Sequence, residues 1–157
     1  MKTLNTLGNV FLGVWLILTG LIGAFNFSFR GMNLVMTFIS LAVAVFLVLP
    51  HSDNRPIINM GMLLLVMVLL TRGLLALLNT TFPGVDVVLS VIATAAGVLM
   101  LFALVEARNF HTLGLFLLGV WLIMANLLPW FNLVYPYDHV VNSAVAFFAG
   151  VLLLIGL

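Results

Sequence analysis

Cysteine is absent from this chain, and its absence removes disulfide frameworks, thiolate metal sites, iron–sulfur clusters and a cysteine nucleophile together. Charge is nearly absent as well. Charged residues make up 6% of the 157 positions, where soluble domains carry roughly a quarter. Five Lys/Arg against four Asp/Glu give a net charge of +1, and no basic cluster exists to neutralise phosphates, which excludes a nucleic-acid footprint. What fills the chain instead is apolar. The AVILMFWYC share is 65% and the mean hydropathy is +1.37, so the surrounding solvent is lipid. Also missing are a carboxylate pair, a His-Glu zinc pattern, a phosphate loop and a Ser/His/Asp set within one neighbourhood. The expectation is a protein that is not an enzyme and holds no cofactor. His51, His111 and His139 all fall at span ends, away from mid-helix positions that would ligate a buried haem. Met60, Met62 and Met67 could bind soft copper, but in so apolar a chain they read as packing material.

Six apolar stretches approach the roughly 20 residues a helix needs to cross a ~30 Å hydrocarbon core. They run Leu7 to Phe25, Leu34 to Leu49, Ile57 to Leu78, Val87 to Val105, Leu113 to Leu128 and Val140 to Leu157. The connectors are short, so consecutive helices are expected to be antiparallel neighbours. Lys2 stands before the first run, which reads as a retained helix because the segment recurs later in the chain.

That recurrence is the strongest pattern present. Leu12-Gly13-Val14-Trp15-Leu16-Ile17 returns unchanged as Leu118-Gly119-Val120-Trp121-Leu122-Ile123, 106 residues on. Half that offset brings a third copy into register at Gly8/Gly61/Gly114, Leu16/Leu69/Leu122, Leu21/Leu74/Leu127 and Asn26/Asn79/Asn132. The fold expected is an all-α integral membrane protein of six transmembrane helices, built as three tandem helical hairpins over residues 1–53, 54–106 and 107–157 of one membrane domain. Two crossings per unit leave the copies in one orientation, related by rotation about the membrane normal. A pseudo-threefold bundle and a linear array of hairpins both satisfy this. Lys2, Arg55 and Arg108 lie on the side of the N-terminus and Arg30 on the other, which favours both termini in the cytoplasm.

The repeated residues carry the candidate roles. Asn26, Asn79 and Asn132 suit the left-handed conformation that closes a helix, and Asn33, Asp86 and Asp138 or His139 are expected to cap the helices that follow. Ser40 and Ala44, Ala93 and Gly97, and Ala146 and Gly150 repeat a pair of small residues four apart, a groove in which another helix backbone can lie. Thr37, Ser90 and Ser143 keep a hydroxyl in every unit, either bonding a carbonyl in the preceding turn or lining a polar path. Trp15 and Trp121 sit mid-helix, for core packing or contact with a pigment, quinone or partner helix. Arg72 is the one charge inside a span, about 10 Å from its end by helical rise, and an intramembrane charge is a functional candidate by default. A carboxylate partner is expected from Asp86 or Asp138, as a structural clamp or as part of a substrate or lipid-headgroup site. Asp53, Arg55, Glu106 and Arg108 stand at matched loop positions suited to salt bridges between loops.

The Leu-Gly-Val-Trp-Leu-Ile segment, the Asn-x-x-Phe-x-Gly turn and the triple-hairpin layout resemble small bacterial membrane proteins made of tandem hairpins. The HdeD-type acid-resistance family has a similar plan, with the Pro of its turn met at Phe82-Pro83 and Tyr135-Pro136 and replaced at Phe29-Arg30. The resemblance implies a bacterial inner-membrane protein with no assigned catalytic residue. The function expected is a non-enzymatic accessory or scaffold subunit of a larger membrane complex, packing laterally on other subunits. The alternatives are a small channel or carrier along the pseudo-threefold axis and a lipid- or quinone-binding module.

Overall fold

A computed structural model of the protein describes residues 2–25, 31–48, 56–80, 82–102, 105, 109–131 and 137–157. These residues form helices and short turns, with no strand among them. Six α-helices follow in order: α1 (Lys2–Phe25), α2 (Met32–Val48), α3 (Pro56–Leu78), α4 (Val85–Leu101), α5 (Phe110–Leu127) and α6 (Asp138–Ile155), with a 3-10 turn at Leu128–Phe131 after α5. Helix is the form that satisfies every backbone N–H and C=O within its own segment, which long apolar runs in lipid require. Four of the helices are long and apolar enough to cross a membrane: α1, α3, α5 and α6. The other two are equally apolar but have 17 residues each, about 25 Å by helical rise.

Helix ends follow local chemistry. Pro56 opens α3, where its missing N–H costs nothing. Asn79 closes α3 in the left-handed region at φ 50°, and the N–H of Thr80 donates back to the Leu75 carbonyl at 3.2 Å, the six-to-one bond of a Schellman ending. α5 begins at Phe110, three residues ahead of the stretch read from apolarity, because the Asn109 N–H donates to the buried Thr112 hydroxyl at 3.0 Å and stabilises an earlier start. The expected caps need correction. Gly84 and Tyr137 occupy the N-cap positions of α4 and α6, so Asp86 and Asp138 lie inside the first turn. Asn33 and His139 likewise fall inside α2 and α6. Gly84 reaches φ 89°, a turn that starts α4 before Asp86 can cap it. There the carboxylates still favour the positive end of the helix dipole. Asn26, Asn132 and the loop charges Asp53, Arg55, Glu106 and Arg108 lie outside the described residues.

Each helix packs on its neighbours in sequence, and α6 returns to pack on α1. The six helices therefore close a ring. Small residues let the backbones approach. A methyl group added at Gly97 of α4 would sit 2.8 Å from the Gly119 carbonyl oxygen of α5, and one at Gly150 of α6 would sit 2.6 Å from the Gly13 carbonyl oxygen of α1. The core comes from the inward faces. Leu12, Leu16, Leu65, Leu69, Leu118 and Leu122 are buried in one cluster with Val43, Ala96 and Ala149. Across the ring, the rings of Trp15 and Trp121 meet edge to face with centroids 5.8 Å apart, a favoured aromatic geometry. The outward faces stay apolar and exposed, with Phe38, Val45, Leu63, Val91 and Phe148 among them.

Candidate functional site

The end of the ring away from residue 2 is hollow. A cavity of about 610 Å³ is walled by α1, α2, α3 and α5, with Ser90 of α4 at one side. Trp15, Val68 and Trp121 line it together with Leu65, Leu69 and Leu122. Beyond these lie the buried side chains of Leu12, Leu16, Leu115 and Leu118, so the cup is blind. Among the described residues its polar lining is Thr19, Asn33, Thr37, Ser40, Ser90, Asn126 and one charged residue, Arg72.

Arg72 is held in a defined direction. Its Nη2 donates to Asn126 Oδ1 at 2.8 Å, reaching from α3 across the cup to α5. The amide of Asn126 is itself anchored, because Nδ2 donates to the Leu122 carbonyl at 2.8 Å. Asn126 is only 5% exposed, so this chain of two bonds is sheltered and rigid. A guanidinium has five N–H donors, and one of them is committed here. Of the expected carboxylate partners, Asp86 shares with Arg72 a smaller crevice of about 190 Å³ between α3 and α4 and acts on the guanidinium electrostatically, while Asp138 lines neither cavity. The hydrogen bond of Arg72 goes to the neutral amide of Asn126. Its signal in the sequence was a lone Asn within the fifth apolar run.

The hydroxyls separate into two groups. Thr37 and Ser90 line the cup, while Ser143 is 7% exposed and packed against α1 at Gly20 and Gly23. Thr37 donates to the Asn33 carbonyl at 2.7 Å, and Ser40 to the Thr37 carbonyl at 2.8 Å. Of the small-residue pairs, Ser40 and Ala44, Ala93 and Gly97, and Ala146 and Gly150 are all buried. Gly97 and Gly150 face helices of the same chain. Asn79 lies in the crevice rather than in the cup. No three His, Asp or Glu side chains come together among the described residues as a metal would need. Met62 is buried, while Met60 and Met67 are exposed. Comparison with protein-family models, curated proteins and solved structures finds no match. The likeness to HdeD-type proteins therefore rests on the sequence pattern alone.

Proposed function

We propose that the chain is a non-enzymatic, membrane-embedded binding module, in which three tandem hairpins around a pseudo-threefold axis hold a blind polar cup for the anionic end of a ligand. The observation that carries this reading is Arg72, a fixed positive charge in the wall of a cavity. An intramembrane charge is costly and marks a site when it faces a cavity. The repeat is supported by burial that recurs at matched positions: Leu12/Leu65/Leu118, Leu16/Leu69/Leu122, Ser40/Ala93/Ala146 and Ala44/Gly97/Gly150. On this reading α2 and α4 cross the membrane with the other four helices. The Lys/Arg distribution supports both termini in the cytoplasm, so that the cup opens on the far side, and the resemblance to tandem-hairpin proteins supports the bacterial inner membrane.

The leucine cluster below the cup works against a continuous channel. A lateral accessory role would use the outer apolar faces, because the small-residue grooves are occupied by α1 and α5. Single cysteines in this Cys-free chain test the module. Ser90→Cys should react with a membrane-impermeant maleimide applied on the cup side, and Leu118→Cys should stay unlabelled until the protein is unfolded. Comparable labelling at Leu118→Cys would replace the module with a water-filled path. A silent Ser90→Cys would mean that no accessible cup exists.

A further inference from the structure

Resting on the cup, we propose that its ligand is an anionic phospholipid, with the phosphodiester at Arg72 and one acyl chain leaving the bundle between α1 and α2. The second half of this assignment comes from a separate cavity. A groove of about 400 Å³ runs between α1 and α2, walled by Leu21, Ile22, Phe25, Val35, Met36 and Ile39, with no polar residue in its lining among the described residues. Met36 lines both the groove and the cup. One flexible, unbranched side chain thus stands between a polar chamber and an apolar one. The groove opens outward, since Leu21, Phe25 and Val35 are exposed on the face that meets lipid hydrocarbon.

A polar head beside an apolar tail is the outline of a lipid, and charge selects its class. Among the described residues the cup lining holds one cation and no carboxylate, Asp86 standing in the neighbouring crevice, so the cup itself offers a countercharge to a phosphate and none to an ammonium group. A phosphodiester matches the planar guanidinium, which takes phosphate oxygens with paired N–H donors. Asn126 fixes the guanidinium beforehand, which lowers the ordering cost of binding. Size points the same way. A 610 Å³ chamber is in the range that holds ligands of many atoms, far beyond a bare carboxylate or an inorganic ion.

The test uses the labelling rate of Ser90→Cys with the full chain in nanodiscs. In phosphatidylcholine discs the cysteine should react freely, and with phosphatidylglycerol present the rate should fall roughly tenfold. Arg72→Gln should abolish that protection. Ile22→Trp, which fills the groove, should also abolish it. Soluble sn-glycerol phosphate should protect poorly. Equal rates in the two lipids, with labelling intact, would overturn the lipid and leave the cup standing. Protection by sn-glycerol phosphate as strong as by the lipid would make this a site for a soluble anion. Protection that survives Ile22→Trp would refute the path between α1 and α2. Absence of labelling in every disc would instead sink the cup itself.

Discussion

A hydrogen bond to a neutral amide orients a guanidinium without cancelling its charge. Arg72 has such a partner in Asn126, and Asp86, in the crevice between α3 and α4, acts on it through charge alone. The pairing has a measurable worth. Asn126→Leu leaves Arg72 without its acceptor and should lower stability by about 1–2 kcal/mol, read from thermal melts in detergent. Arg72→Leu combined with Asn126→Leu should recover most of that loss, and strict additivity of the two single changes would show that the bond contributes nothing. Arg72 was legible in the sequence because one charge in an apolar run stands out. Asn126 was not, because its meaning depends on α5 facing α3 across a hollow, and 54 residues of separation hide that.

Among the elements, α6 shows most directly how small residues are used. Gly150 meets the backbone of Gly13 on α1, and a neighbour that is main chain cannot rotate aside. Gly150→Ala should therefore destabilise the fold by about 1–3 kcal/mol, while Val141→Ala, on the exposed face of the same helix, should change stability by less than about 0.5 kcal/mol. Similar losses at the two positions in detergent unfolding would remove the close approach as the cause. The apolar runs located all six helices, since hydrophobic length is what a span needs. Their starts were less legible. Asp86 and Asp138 resemble caps on paper, but the left-handed turn at Gly84 and the turn at Tyr137 begin α4 and α6 before either carboxylate can serve.

For the whole molecule, closure of the ring was the feature that the sequence left open. A linear array and a ring share every hairpin and differ in one interface, α6 on α1, whose two halves lie at opposite ends of the chain. Closure also brings Trp15 and Trp121 together edge to face, and two indoles that close should give an exciton couplet in the far-ultraviolet circular dichroism. Trp15→Phe and Trp121→Phe should each remove it completely, and a couplet that survives either change would argue against the contact. The bond from Arg72 to Asn126 also sets an order in time. Ribosomes add roughly 5–20 residues per second, so α3 delivers its arginine roughly 3 to 10 seconds before the asparagine 54 positions later is made. If α3 spans a bilayer, its arginine lacks the Asn126 amide throughout that interval, and only the making of the fifth helix completes its setting.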